Sequence, residues 1–213
     1  MPATEQQPAD AAPGTPRGAR RRISVRALLL LVGIAVVVYG IDQLTKFLIA
    51  SGMREGQEIE VLGPILKLRY ITNSGAAFSF ANGYTWAFSI VAVGVIVAII
   101  WFARRIRSLA WATMFGLVLA GALGNLTDRL FRPPGFGVGH VVDFIAIEPF
   151  PAIFNVADIA ITCSMALFIL LSLRGTGLDG SKAVIRKPKA PAAADVPSAE
   201  AEPPAEQHAA PKD

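Results

Sequence analysis

Four long apolar stretches dominate the pattern of hydrophobic and polar positions along the chain. They cover residues 27–50, 84–103, 108–128 and 154–173. A helix rises about 1.5 Å per residue and the hydrocarbon core of a bilayer is about 30 Å thick, so each stretch is long enough to cross a membrane. The pattern therefore predicts an all-α membrane bundle of four transmembrane helices.

Residues 51–83 and 129–153 form two loops that would lie on the same side of such a bundle. In the first loop, apolar and basic residues alternate from Leu66 to Tyr70, and the preceding Gly63-Pro64 suits a turn. We expect a small extracytoplasmic β-sheet subdomain there. Residues 1–25 and 175–213 lack apolar periodicity, which predicts two disordered cytoplasmic tails around a folded domain of residues 26–174.

Composition and charge support a membrane protein and exclude other classes. Of the 213 residues, 53% are hydrophobic and 17% are charged, which is unlike a disordered protein or an ordinary soluble enzyme. The net charge of +4 is too small to indicate a nucleic-acid partner. Basic clusters precede the first span, join the second to the third and follow the fourth, so both termini are expected in the cytoplasm.

Four ionisable residues are predicted at one depth, near the outer membrane boundary. They are Asp42, Lys46, Asp128 and Asp158. Counting from the nearest arginine cluster places them about 24 to 31 Å along their helices. Ionisable groups inside a membrane are costly and usually face a cavity or one another. We therefore expect a functional site in this layer, next to the two outer loops.

The last two helices share an Asn-x-x-Asp pattern, Asn125 to Asp128 and Asn155 to Asp158. Residues three apart are neighbours on a helix, so each amide can lie beside its carboxylate. Two adjacent carboxylates cannot both ionise cheaply, so one would hold a proton while the other activates water. This pattern favours aspartic-protease chemistry, although a carboxylate at a helix end can also be an interfacial anchor.

Several polar residues have simpler interpretations. Asp42 and Lys46, spaced i to i+4, form either a structural ion pair or a substrate contact. Asp143 in the second outer loop is expected to be solvated or to cap a helix. His140 is expected to be a polar loop residue, and the single cysteine, Cys163, to pack in an apolar run, so no disulfide or Cys-rich metal site can form.

The sequence lacks the residues that several other kinds of catalytic or binding site require. The two histidines cannot build a zinc site of the H-E-x-x-H type or a Ser-His-Asp triad, and no phosphate-binding glycine loop occurs. A Ser-Lys dyad from Lys46 with Ser51 or Thr72 would leave the aspartates unexplained. Neither a metal nor a cofactor is expected. The main alternative function is a small proton-coupled carrier, and a weaker one is a noncatalytic membrane scaffold.

Five motifs in order give the chain a resemblance to the lipoprotein signal peptidases, the type II signal peptidases of bacteria. The resemblance covers roughly residues 26–173. The motifs are Asp42-Gln-Leu-Thr-Lys46, Asn73-Ser-Gly-Ala-Ala-Phe78, Gly124-Asn-Leu-Thr-Asp-Arg129, Val141-Val-Asp-Phe144 and Phe154-Asn-Val-Ala-Asp158.

The resemblance implies an aspartic endopeptidase of the bacterial plasma membrane. Its substrates would be prolipoproteins, cut just before the diacylglyceryl-modified cysteine, at a site facing the outer leaflet and its phospholipid. The catalytic dyad would map onto Asp128 and Asp158, and a monomer is expected. The implied substrate-binding residues are Asp42, Lys46, Asn73, Gly75, Asn125, Arg129 and Asn155.

Overall fold

The computed structural model describes residues 23–75 and 85–181. Most of both predicted tails lies outside these ranges. So do residues 76–78 of the second motif and the predicted start of the second span at Tyr84.

Four helices form the bundle, and each is long and apolar enough to cross a membrane. They are α1 (Val25–Gly52), α2 (Thr85–Ala103), α3 (Leu109–Phe131) and α4 (Val156–Leu173). Helix α3 packs against the other three helices and is the most buried of them. These helices, with the sheet described below, confirm the predicted fold class.

Small residues on α3 allow its neighbours to approach closely. A Cβ atom on Gly116 would lie 2.8 Å from the Leu31 carbonyl oxygen of α1. A Cβ atom on Gly124 would lie 2.5 Å from Asp42 Oδ2 and 3.1 Å from Ala157 Cβ. At Gly124, α1 and α4 therefore meet α3 at the same level, close to the predicted site.

A four-stranded antiparallel sheet joins the two outer loops. Its strands lie in the order β1 (Glu58–Leu62), β2 (Leu66–Asn73), β3 (Val141–Ile147) and β4 (Ile153–Phe154). The predicted hairpin of the first loop is confirmed as β1 and β2. The second loop contributes two further strands that the sequence analysis did not assign. Val142 and Phe144 of β3 are buried with Ile49 of α1, which fixes the sheet to the bundle.

The chain continues in ordered form beyond α4, where the sequence analysis predicts a disordered tail from residue 175. The Leu178 carbonyl accepts hydrogen bonds from the backbone N–H groups of Arg107 (2.9 Å) and Ser108 (3.0 Å). Trp111 Nε1 donates to the Thr176 carbonyl at 2.9 Å. Residues 175–181 therefore cover the end of the bundle that is opposite to the sheet.

Candidate active site

A fully buried lysine lies at the centre of a network of polar side chains. Lys46 Nζ of α1 is 2.9 Å from Asp42 Oδ2, 2.9 Å from Asp128 Oδ2 and 3.0 Å from Asn125 Oδ1. The predicted i to i+4 ion pair with Asp42 is thus present, and it extends to α3. A buried ammonium group is tolerated only when it is paired and hydrogen-bonded in this way.

Asp42 links the network to the start of α4. Its Oδ1 accepts a hydrogen bond from the backbone N–H of Ala157 at 2.9 Å, and its Oδ2 accepts one from Gln43 Nε2 at 3.0 Å. The first N–H groups of a helix have no partner within the helix and carry partial positive charge. A carboxylate from α1 therefore holds the N-terminus of α4 in position.

Asp128, predicted as one of the catalytic acids, has two cationic partners. Its Oδ1 is 2.5 Å from Arg132 Nε, and its Oδ2 is bonded to Lys46 and accepts from the Val142 backbone N–H at 3.3 Å. Both oxygens of this buried carboxylate are thus occupied by protein groups. With both oxygens bonded to other groups, Asp128 makes no direct hydrogen bond to a second acid among the described residues.

Asp158, the other predicted catalytic acid, lies in the first turn of α4. It forms a capping box with Asn155: the Asn155 side chain accepts from the Asp158 N–H at 3.0 Å, and Asp158 Oδ2 accepts from the Asn155 N–H at 3.2 Å. Asp158 Oδ1 also accepts from Asn125 Nδ2 at 2.9 Å. The Asp158 side chain is half-buried, so part of it is accessible from outside the protein.

Asp143 lies in an environment that differs from the predicted one. It was expected to be solvated or to cap a helix, but it lies in β3 and is only 2% exposed. Its oxygens accept from Asn73 Nδ2 at 2.7 Å and from Asn155 Nδ2 at 2.6 Å. Burial raises the pKa of Asp143 to about 6, and the nearby negative charge of Asp158 adds to this increase.

Asn155 bonds to both Asp143 and Asp158, and this brings the two acids together. Its side-chain amide donates to Asp143 and its backbone N–H donates to Asp158. Asp128 reaches Asp158 only through two intermediates, Lys46 and Asn125. Counting helical residues from the arginine clusters could not place Asp143 near the membrane boundary, because Asp143 lies in a strand and not in a helix. Its signals in the sequence were the Val-Val-Asp-Phe pattern and a strand-like run.

The predicted substrate-binding residues Gly75 and Arg129 lie next to each other. The Arg129 guanidinium is 5.0 Å from the centre of the Phe88 ring, and its Nη1 is buried without a hydrogen-bond partner among the described residues. Gly75 has φ +93°, and a Cβ atom there would lie 2.7 Å from Phe88 and 3.5 Å from Arg129 Nη2. This position therefore requires glycine.

An apolar pocket opens beside Asp158. It has a volume of about 460 Å³ and is lined by Ile147, Phe150, Phe154, Asp158, Ile159, Thr162 and Cys163. The sequence predicts that Cys163 packs in an apolar run, but this prediction is wrong, because the side chain faces the pocket and is exposed. A carboxyl group at the edge of an apolar cavity is a common arrangement in ligand sites. The pocket therefore offers space for an apolar group next to the Asp158 carboxyl group.

The comparisons with known proteins agree with this architecture. The family model for signal peptidase (SPase) II matches residues 34–174, which is more than half of the chain. The chain belongs to the signal peptidase II family. The lipoprotein signal peptidase of Leifsonia xyli subsp. xyli is 58% identical over 163 residues, which are 76% of each chain. That of Rhodococcus jostii is 44% identical over 183 residues, 86% of this chain and 89% of the relative.

A solved structure shares the fold as well. A bacterial membrane enzyme, determined by the in meso method at 1.9 Å resolution, is 32% identical with a TM-score of 0.63, over 74% of this chain and 100% of that one. The signal peptidase II chain is thus a peptidase that spans a bacterial membrane several times. The alternative of a proton-coupled carrier finds no support in these comparisons.

Proposed function

We propose that this signal peptidase II cleaves prolipoproteins by aspartic-protease chemistry, with Asp143 and Asp158 as the reacting carboxyl groups. Family membership supports the removal of signal peptides from prolipoproteins. The observation that carries the assignment is the hydrogen bonding of both acids to Asn155. Asp128, which the sequence predicts in this role, instead holds Lys46 in place.

The shared proton resides on Asp143, because burial raises the pKa of this carboxyl group to about 6. Asp158 acts as the base and removes a proton from a water molecule as that water attacks the scissile carbonyl carbon. Protonated Asp143 donates a hydrogen bond to the developing oxyanion. The proton taken by Asp158 then passes to the leaving amine as the peptide bond breaks, and the pair returns to its starting state.

The amides around the acids orient the pair. Asn125 and Asn155 hold Asp158, while Asn73 and Asn155 hold Asp143. Lys46 in turn accounts for one acceptor position of the Asn125 amide oxygen, which directs the Asn125 NH₂ group toward Asp158. The predicted binding residues Lys46, Asn125 and Asn155 thus position the acids.

Arg129 and Gly75 are the residues best placed to bind the substrate backbone. The buried Nη1 of Arg129 can donate to a peptide carbonyl, and Gly75 lets the backbone pass close to Phe88 and Arg129. The apolar pocket beside Asp158 accepts an apolar substrate group next to the scissile bond. A diacylglyceryl-modified cysteine fits this site, because its acyl chains can remain in lipid while the bond to be cut reaches the acids.

The orientation in the membrane follows from the arginines. Five arginines lie at the ends of the helices opposite to the sheet: Arg26, Arg104, Arg105, Arg107 and Arg174. The positive-inside rule assigns that side to the cytoplasm, so both termini are cytoplasmic and the acids face the outer leaflet with its phospholipid. One chain contains the complete network, which supports a monomer.

The test compares single Asp to Asn variants of the purified protein on a diacylated prolipoprotein and on its non-lipidated form. We expect Asp143→Asn and Asp158→Asn to lose at least about 10³-fold in cleavage rate per folded molecule, since each removes an acid–base group. Asp128→Asn is expected to lower stability and to retain measurable turnover.

Near-normal turnover by Asp143→Asn, together with loss of turnover by a folded Asp128→Asn, would return the catalytic role to Asp128. Cleavage of the non-lipidated form at the same rate would contradict the proposed substrate class. Thermal unfolding of each variant separates a loss of chemistry from a loss of structure.

A further inference from the structure

The end of the bundle opposite to the acids contains a pocket rich in arginine. It has a volume of about 520 Å³ and is lined by Arg104, Arg105, Arg107, Leu178 and Asp179. Asp179 Oδ1 accepts hydrogen bonds from the N–H and the hydroxyl of Ser181, at 3.0 and 2.6 Å. Three guanidinium groups and one carboxylate line the pocket, so it carries net positive charge and suits an anion.

An apolar groove between α2 and α3 adjoins this pocket. It has a volume of about 440 Å³ and is lined by Val95, Ala98, Ile99, Phe102, Trp111, Phe115, Val118 and Leu178. Leu178 lines both cavities. From Val95 to Phe102 the groove follows α2 for about 10 Å, the length of several methylene groups of an extended acyl chain.

Arg105 connects the polar and apolar parts. Its guanidinium is 4.9 Å from the centre of the Trp101 ring and 5.7 Å from that of Phe102. These cation–π contacts hold the charge at the end of the groove. A cation thus lies directly beside the apolar groove. This arrangement is complementary to a lipid that has a charged head group and an apolar acyl chain.

We propose that an anionic glycerophospholipid of the membrane binds here, with its phosphate at Arg104 and Arg105 and one acyl chain in the groove. Guanidinium groups match the geometry of phosphate oxygens, and basic pockets between spanning helices bind anionic head groups. The charge at the mouth of the groove favours this lipid over a second protein helix. The bound chain fills the contact between α3 and α2, the least buried of the four helices.

Trp111 provides a direct measurement, because it lines the groove and is only 8% exposed. The full chain with Trp86→Phe and Trp101→Phe retains Trp111 as the single indole, and the Phe ring at 101 and Phe102 keep aromatic faces next to Arg105. It is placed in phosphatidylcholine vesicles that contain a minor fraction of brominated phosphatidylglycerol or brominated phosphatidylcholine. A brominated acyl chain quenches Trp111 fluorescence only when the chain lies close to it.

We expect the anionic lipid to quench at a concentration about 30-fold lower than the zwitterionic lipid. This factor follows from the attraction of two arginines for the additional negative charge of the anionic lipid. Arg104→Gln with Arg105→Gln should remove this preference. Arg26→Gln with Arg174→Gln is the matched control, because it removes the same charge from exposed positions at the same end and should keep the preference. Native mass spectrometry of retained lipid provides a second measurement on the same variants.

Equal quenching by the two lipids would overturn the proposal. So would an equal loss of preference in both double variants, which would indicate a general surface charge effect. A dimer that dissociates in Arg104→Gln with Arg105→Gln would assign the groove to a second copy of the chain. None of these measurements depends on cleavage, so the lipid site and the peptidase mechanism fail independently.

Discussion

Replacement of Lys46 by Met decides whether this lysine is a structural ion-pair partner or a substrate contact. Met keeps most of the length and removes the charge. In the structure the ammonium group lies 2.9 Å from both Asp42 and Asp128, with no exposed surface. After the replacement Asp128 still has Arg132, but Asp42 has no cationic partner among the described residues.

The expected cost follows from this imbalance. Removing one member of a buried ion pair costs about 3 to 5 kcal/mol, because the remaining charge is buried without compensation. For a chain of this size such a loss lowers the melting temperature by about 10 °C or more. Thermal unfolding of the purified protein in detergent micelles measures it directly.

Two further variants make the test specific. Lys67→Met removes a lysine that is 2.7 Å from Glu58 in an exposed pair on the sheet, and it should change the melting temperature far less, because solvent screens this pair. Adding Asp42→Asn to Lys46→Met should restore part of the lost stability, because the uncompensated charge disappears. If Lys46→Met unfolds at the same temperature as Lys67→Met while cleavage is lost, the structural interpretation is refuted and a substrate contact is favoured.

Three other predictions concern the site and its packing. Because the folded pKa of Asp143 is about 6, above its usual 3.8, its contribution to stability is full below pH 3.8 and is lost as the pH rises through 6. Relative to the wild type, Asp143→Asn should therefore gain about 3 kcal/mol in unfolding free energy between pH 3.5 and 7.5, and a constant difference would contradict this. Gly124→Ala should destabilise the bundle by about 1 to 3 kcal/mol, because its Cβ would lie 2.5 Å from Asp42 Oδ2, whereas Gly94→Ala, with nothing within 4 Å, should not. A bulky maleimide on Cys163, the only cysteine, should block cleavage by filling the apolar pocket, and the rate of Cys163→Ala should not respond to the reagent.

Much of the fold could be predicted because it depends on local properties. The length of an apolar stretch decides whether it can span a bilayer, and four stretches met that requirement. The alternation of apolar and basic residues around Leu66 is also a local property, and it predicted the first hairpin. The strand β3 was missed because its residues Val141 to Phe144 are all buried, so they show no alternation.

The pair that we propose shares Asp158 with the predicted pair but has Asp143 in place of Asp128, and the reason lies in the register of the sheet. Pairing of Asn73 with Val141 brings the Asn73 amide to Asp143, and the capping box of α4 presents Asn155 to the same carboxyl group. The position of a residue along a helix does not show which side chains the strand pairing brings to Asp143. Asp158 could be predicted because it belongs to a helix whose depth can be counted from the arginines.

The sequence by itself determined the four spans, the family motifs and the presence of polar residues near one membrane boundary. These features depend on composition and spacing, which a chain carries before it folds. Only the tertiary structure decided which carboxyl groups meet, because three acids from α3, β3 and α4 compete for the same amides and cations. Lys46 and Arg132 pair with Asp128, and this leaves Asp143 and Asp158 to share Asn155.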